Sequence, residues 1–184
     1  MIRLKPVIPS LLSALRLVIA LIFPAVPEKY WLWLVVFAAI SDVLDGWLAR
    51  KWQVISWQGA LVDAIADKFF VLTVLFVFTL SDRFAVYWIP LVLARDLLVA
   101  ATAGFLATRG LWAEFKNTRS RPTGKIATGG QFILFVIILA APTQILSGLI
   151  LASTCSIVAA FDYGLLFCKF LSTRHSATPK NNTA

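Results

Sequence analysis

The sequence predicts an all-α membrane protein, a bundle of six transmembrane helices. Hydrophobic residues make up 60% of the 184 residues and charged residues only 14%. The mean hydropathy of +0.85 is too high for a soluble domain. A membrane-spanning helix needs about 20 mostly apolar residues, and six stretches qualify: 7–26, 30–48, 63–80, 84–106, 126–142 and 145–168. We therefore expect one membrane domain, residues 1–172, followed by a polar, disordered tail, residues 173–184.

The first apolar stretch resembles the hydrophobic region of a signal peptide, because Arg3 and Lys5 precede it. It is long for such a region and carries Arg16 at its centre. We therefore expect it to be retained as the first membrane helix.

The distribution of basic residues predicts the orientation in the membrane. Two long connections, 49–62 and 107–125, fall on the same side of a six-span arrangement as both termini. Most of the 17 lysines and arginines lie on that side, whereas only Lys29 and Arg83 lie on the other. The positive-inside rule therefore places both termini and the long connections in the cytoplasm. The net charge of +8 indicates topology and contact with anionic membrane lipids, and not nucleic acid binding.

Histidine and cysteine chemistry is excluded by the composition. The only histidine, His175, lies in the polar tail, and the two cysteines, Cys155 and Cys168, lie in the last apolar stretch. Their spacing corresponds to about 20 Å of helix, too far for a disulfide within that helix. Any chemistry must therefore come from carboxylates, lysines, arginines and hydroxyl groups.

Four aspartates lie where the second apolar stretch ends and the third begins. An aspartate within a membrane span costs about 2.5 to 3.5 kcal/mol on insertion scales. Asp42 and Asp45 share one helical face with Gly46 and Ala49, and Asp63 and Asp67 are an i, i+4 pair. Converging carboxylates of this kind suit Mg²⁺ or Mn²⁺, which leave coordination positions for substrate phosphates.

A purely structural interpretation of these residues is also open at this point. Lys68 could neutralise Asp67, and the small residues Gly46 and Ala49 could serve helix packing. Arg50, in contrast, offers a planar donor suited to phosphate.

Residues 42–67, DVLDGWLARKWQVISWQGALVDAIAD, match every specified position of the pattern D-x2-D-G-x2-A-R-x8-G-x3-D-x3-D. The chain thereby resembles the CDP-alcohol phosphatidyltransferases. IPSLLSALR near the start is similar to that family's IPNLLTLLR, with Ser10 in place of the asparagine, and ADK at 66–68 and GKIAT at 124–128 are similar too.

The resemblance implies a role for each residue of the pattern. Asp42, Asp45 and Asp63 would hold a two-metal centre of Mg²⁺ or Mn²⁺, with Asp67 as a further ligand and as the general base. The site for the CDP group of CDP-diacylglycerol would be shaped by Gly46, Ala49, Arg50 and Gly59. From the residues alone, Asp67 could equally be a metal ligand only. The resemblance also implies a homodimer.

The acceptor alcohol is expected to be anionic. We predict an acceptor-phosphate site formed by Arg95, Arg119, Arg121 and Lys125, which favours glycerol 3-phosphate. The alternatives are that the basic loop only anchors the topology and that Arg95 pairs with Asp96. The run RPTGKIATGGQFILFVIILAAP and the Arg95–Asp96 pair also resemble the cardiolipin synthase branch, whose acceptor is phosphatidylglycerol.

Two other functional classes are less consistent with the sequence. Membrane prenyltransferases also hold a diphosphate with aspartates and Mg²⁺, but their two acidic motifs are far apart in sequence. Cation or proton transporters use intramembrane carboxylates, but they often contain internal repeats, and none is evident here.

Overall fold

The computed structural model describes residues 7–52, 57–109 and 122–177. Within these ranges the chain forms seven α-helices and no β-strand, which confirms the all-α prediction. The helices are α1 (Val7–Ile22), α2 (Trp31–Trp52), α3 (Trp57–Leu80), α4 (Trp88–Val92), α5 (Ala94–Thr108), α6 (Pro122–Ala140) and α7 (Ile145–Ala177).

The connection predicted at 49–62 is much shorter than expected. α2 continues to Trp52 and α3 begins at Trp57. The sequence here is polar but contains good helix formers such as alanine, leucine, arginine and lysine, so low hydropathy does not mark the end of the helix. The proposed metal and CDP residues therefore lie on regular helices.

The fourth and last predicted spans also differ in detail. The fourth consists of α4 and α5, which meet at Leu93. The Leu93 N–H donates to the Ile89 carbonyl at 3.0 Å, and the Leu97 N–H donates to the Leu93 carbonyl at 2.9 Å. The last helix, α7, reaches Ala177 and so includes the first residues of the predicted tail. No proline or glycine occurs in that segment before Pro179, and nothing there stops the helix.

Among the described residues, two helical segments are long and apolar enough to cross a membrane, Pro122–Ala140 and Pro142–Lys169. They correspond to α6 and to α7 with the turn before it. Leu11–Ala25 is apolar but shorter. The six-span bundle stays a prediction.

The chain divides into two compact units. Unit 1 comprises Met1–Val86 with Gln131–Gly148, and unit 2 comprises Tyr87–Gly130 with Leu149–Ala184. In unit 1, α1 packs against both α2 and α3. An aromatic core lies beside them, with ring centroids 5.4 Å apart for Phe23 and Trp31 and 6.0 Å apart for Phe70 and Phe132.

The ends of α1 and α3 in unit 1 have clear local causes. Pro24 disfavours continuation of α1, and a 3₁₀ turn, Phe23–Ala25, follows. After α3, Asp82 has a φ of 55°, and the Arg83 N–H donates to the Phe78 carbonyl at 3.0 Å. α3 therefore ends in a cap in which one residue, Asp82, has the left-handed backbone conformation. It presents Arg83 to Glu28, with which it forms an ion pair, so the two connections lie at the same end of unit 1.

Unit 2 is held together by polar contacts between its helices. The backbone N–H of Arg95 on α5 donates to Ser156 Oγ on α7 at 3.1 Å. The Thr123 hydroxyl on α6 donates to Asp162 Oδ2 on α7 at 2.8 Å. These contacts fix the first turns of α5 and α6 against the middle of α7.

Candidate active site

A buried arginine joins the two acidic helices. Nη1 of Arg16 lies 3.0 Å from Asp42 Oδ1 on α2 and 3.2 Å from Asp63 Oδ1 on α3. The two carboxylate oxygens therefore contact the same nitrogen. The Arg16 side chain is 0% exposed, whereas those of Asp42 and Asp63 are 29% and 39% exposed. The carboxylates thus converge around a buried cation and remain open to a ligand.

Ser13 supports the same arrangement from α1. Its hydroxyl donates to Asp63 Oδ1 at 3.0 Å, and the residue is buried. Ser13 and Arg16 are three positions apart, so they project from the same face of α1. One face of this helix therefore sets the position of the Asp63 carboxylate.

Asp67 lies one turn after Asp63 on α3, and its two carboxylate oxygens have different surroundings. Oδ2 lies 3.0 Å from Lys68 Nζ, so the predicted alternative that Lys68 pairs with Asp67 is confirmed as a contact. Oδ1 is buried and accepts no hydrogen bond from any residue that the structure describes. A buried acceptor without a partner is unfavourable unless a proton or a cation meets it.

The three described carboxylates share one electrostatic environment. Asp42 lies within electrostatic range of Asp63 and Asp67 and of the cations Arg16 and Lys68. Three carboxylates thus face two basic side chains. An oxygen-rich cluster with an orphaned buried oxygen fits a hard divalent cation such as Mg²⁺ or Mn²⁺.

The remaining predicted site residues are placed only by their backbone. Asp45, Gly46, Ala49 and Arg50 lie on α2, in one continuous helix with Asp42, and Gly59 lies on α3. Their side chains fall outside the described part of the structure. Among the residues whose side chains are described, no group of three or more histidines, cysteines, aspartates or glutamates forms a ready metal cage.

The structure describes two of the four residues of the predicted acceptor site, Arg95 and Lys125, and both lie in unit 2. Arg95 Nη1 contacts Asp96 Oδ1 at 2.8 Å, which confirms the alternative that these neighbours pair. The Arg95 guanidinium also lies over the Tyr163 ring, 5.4 Å from its centroid. Lys125 is exposed on the first turn of α6. Arg119 and Arg121 lie outside the described residues.

Gly124 leaves room for the Arg95 side chain. A Cβ atom added at Gly124 would lie 2.8 Å from Arg95 Nη2 and 2.8 Å from the Tyr163 hydroxyl oxygen. Both distances are shorter than normal contacts. The absence of a side chain at 124 thus allows the guanidinium, the tyrosine and the start of α6 to meet.

Sequence reasoning did not assign Ser13 and Arg16 to the site. Both lie in IPSLLSALR, the segment that resembles a family motif. The available signal was the cost of a charge within an apolar stretch, which implies a partner for Arg16. Spacing along the chain could not identify that partner, since Asp42 and Asp63 are contributed by other helices.

Comparison with known proteins agrees with the residue pattern. Residues 6–165 match the family model for CDP-alcohol phosphatidyltransferase. This range includes α1 with Arg16, all four aspartates and most of α7. The match favours the phosphatidyltransferase interpretation over the prenyltransferase and transporter alternatives.

Several relatives carry names from within this family. A CDP-diacylglycerol–glycerol-3-phosphate 3-phosphatidyltransferase of Pectobacterium atrosepticum is 27% identical over 91% of this chain and 95% of its own length. The same enzyme of Sodalis glossinidius is 28% identical over 76% of both chains. A Mycobacterium bovis protein, provisionally named a cardiolipin synthase, is 33% identical over 72% of this chain and 64% of its own. The chain therefore belongs to the CDP-alcohol phosphatidyltransferase family and is a transferase of phospholipid biosynthesis.

Proposed function

We propose that this enzyme transfers the phosphatidyl group of CDP-diacylglycerol to glycerol 3-phosphate and releases CMP. The convergence of Asp42 and Asp63 on one buried cation carries the proposal for the reaction. The acceptor is supported by the relative that aligns along 91% of this chain, which is named for glycerol 3-phosphate. Phosphatidylglycerol is the second candidate, supported by the relative named a cardiolipin synthase, which is 33% identical over 72% of this chain.

The proposed centre consists of Asp42, Asp45, Asp63 and Asp67, with two Mg²⁺ or Mn²⁺ ions. Bound metal would supply charge neutralisation at the diphosphate as CMP leaves. Gly46, Ala49, Arg50 and Gly59 would shape the CDP site. Small residues allow close approach of the nucleotide, and the arginine offers a planar fork to a phosphate.

In the proposed reaction, Asp67 takes the proton of the acceptor hydroxyl. The hydroxyl oxygen forms a bond to the phosphorus that bears the diacylglycerol, and the bond from that phosphorus to the CMP oxygen breaks. The Asp67 oxygen without a described partner, Oδ1, is the candidate proton acceptor. The other oxygen is held by Lys68 at 3.0 Å, which would orient the carboxylate. No covalent enzyme intermediate is needed.

CMP release with different acceptors tests the function. Purified enzyme with CDP-diacylglycerol and Mg²⁺ should release CMP with glycerol 3-phosphate at least about tenfold faster than with phosphatidylglycerol, if donor groups in the site contact the free phosphate. Identification of the lipid product by mass spectrometry completes the measurement. Faster release with phosphatidylglycerol would assign the enzyme as a cardiolipin synthase, and no release with any alcohol would contradict the proposed reaction.

We further propose that Arg95 and Lys125 bind the acceptor phosphate together with Arg119 and Arg121. A planar guanidinium held by Asp96 and Tyr163 is oriented before the ligand arrives. An anionic acceptor needs these arginine and lysine donors, whereas the cationic alcohols choline and ethanolamine do not.

Gly124→Ala tests that role of Arg95. The added Cβ would meet Arg95 Nη2 at 2.8 Å and must displace the guanidinium, so we expect the KM for glycerol 3-phosphate to rise roughly tenfold, as for the loss of one charge-assisted hydrogen bond. The KM for CDP-diacylglycerol should change little. Gly129→Ala on the same helix is the control, because a Cβ there has no neighbour within 4 Å. An unchanged acceptor KM in both variants would exclude Arg95 from the acceptor site.

We propose six membrane spans with both termini and the active site on the cytoplasmic side. The ion pair of Arg83 with Glu28 is consistent with placing both connections on the opposite side. In a variant without native cysteines, a cysteine at position 116 should react only with reagent on the cytoplasmic side, and one at position 82 only with reagent on the other. Labelling of both from one side would overturn this topology.

A further inference from the structure

The proposed reaction assigns no role to Arg16, although this residue occupies the centre of the acidic cluster. Its side chain is 0% exposed and contacts Asp42 and Asp63 through a single nitrogen. A buried charge in a membrane protein is unfavourable without partners. The burial of Arg16 therefore depends on its contacts with these two carboxylates.

The position of the guanidinium matters for metal binding. A divalent cation held by Asp42 and Asp63 would compete with Arg16 for their carboxylate oxygens, because Oδ1 of each residue already contacts Arg16 Nη1. An oxygen that accepts from a guanidinium is a poorer ligand for a second cation, since both cations are attracted by the same negative charge and repel each other.

We propose that Arg16 is a positioning residue that acts as the counter-ion of the metal-free centre. It holds the Asp42 and Asp63 carboxylates together when no metal is bound, and it gives up at least one of these contacts when a divalent ion enters. Ser13 keeps Asp63 in place during the exchange through its hydrogen bond of 3.0 Å. This inference rests on the proposed metal centre.

If the proposal holds, Arg16 raises the stability of the metal-free protein and lowers its affinity for a divalent metal. Removing the guanidinium leaves two neighbouring carboxylates without their shared cation, which destabilises the metal-free protein. The same change removes the competitor for a metal, so the metal should bind more tightly and restore more of the stability. A residue that serves packing alone would not link the two quantities.

The experiment compares Arg16→Gln with the parent, without substrates. Mn²⁺ affinity is measured from the electron paramagnetic resonance signal of free Mn²⁺, and unfolding from tryptophan fluorescence on heating in detergent. We expect Arg16→Gln to bind Mn²⁺ about tenfold more tightly or better, as expected for removal of one nearby positive charge. Its Tm in EDTA should fall by on the order of 5 to 10 °C, and saturating Mn²⁺ should close most of that gap.

Arg83→Gln is the matched control. Arg83 also forms an ion pair in unit 1, but its partner, Glu28, is exposed. It should leave Mn²⁺ affinity unchanged. Arg16→Lys keeps a positive charge without the planar fork, and should shift Mn²⁺ affinity in the same direction as Arg16→Gln but less. It provides the test if the glutamine variant does not fold.

Two results would overturn the inference, and they are distinguishable. Equal Mn²⁺ affinity in the parent and the Arg16 variants, with the same Tm gap in EDTA and in Mn²⁺, would make Arg16 a packing residue while leaving the metal centre intact. Absence of Mn²⁺ binding by all the proteins would remove the proposed metal centre and the role of Arg16 with it.

Discussion

Asp42→Asn and Asp63→Asn are each expected to reduce phosphatidyl transfer by about a thousandfold or more. Metal stabilisation of a phosphoryl transition state is worth several kcal/mol, and each 1.36 kcal/mol corresponds to a factor of ten in rate. An amide oxygen is neutral and a poor ligand for Mg²⁺. The measurement is CMP release from CDP-diacylglycerol at saturating Mg²⁺. We expect the same loss for Asp45→Asn, and for the parent enzyme in EDTA.

The control for these variants is Asp82→Asn. Asp82 is exposed and caps α3 with a φ of 55°, a conformation that asparagine also tolerates. This variant should retain the parent rate, which would show that the loss depends on position and not on the change from acid to amide. Full turnover by Asp42→Asn or Asp63→Asn, or by the parent enzyme without divalent metal, would rule out the metal assignment.

The arrangement of the acidic residues followed from the sequence because it depends on local geometry. Asp42 and Asp45 lie three positions apart and Asp63 and Asp67 four, and such spacings place side chains on one face of a helix wherever the helix is regular. α2 and α3 are continuous through these positions. The expectation that the two helices bring their carboxylates together is met for Asp42 and Asp63, which contact the same nitrogen.

The sequence did not predict where α2 ends or which residues contact Arg16. The connection between α2 and α3 was predicted from a drop in hydropathy, but the helix continues through polar residues such as Arg50 and Lys51, because hydrogen bonding and propensity decide where a helix ends. The partners of Arg16 are 26 and 47 positions away in sequence. Only the packing of α1 on α2 and α3 makes them neighbours.

Asp67 is either a metal ligand or the general base, and the two roles require different properties of its carboxylate. Its Oδ1 is buried without a described hydrogen-bond donor, which suits either a metal ion or the proton of an incoming hydroxyl. Asp63, one turn earlier on α3, provides the comparison. It contacts Arg16 and Ser13, and we assign it to metal binding alone.

Asp67→Asn should therefore lower the rate of transfer by about 10²- to 10⁴-fold, the usual contribution of a general base, while Mn²⁺ affinity falls much less than in Asp63→Asn. An asparagine cannot accept the proton, so the residual rate should continue to rise with pH where the rate of the parent is constant, as hydroxide replaces the missing base. Mn²⁺ binding and pH–rate profiles of both variants are the measurements. If Asp67→Asn loses Mn²⁺ as Asp63→Asn does and keeps the profile of the parent, Asp67 is a metal ligand only, and the acceptor hydroxyl must lose its proton to another group.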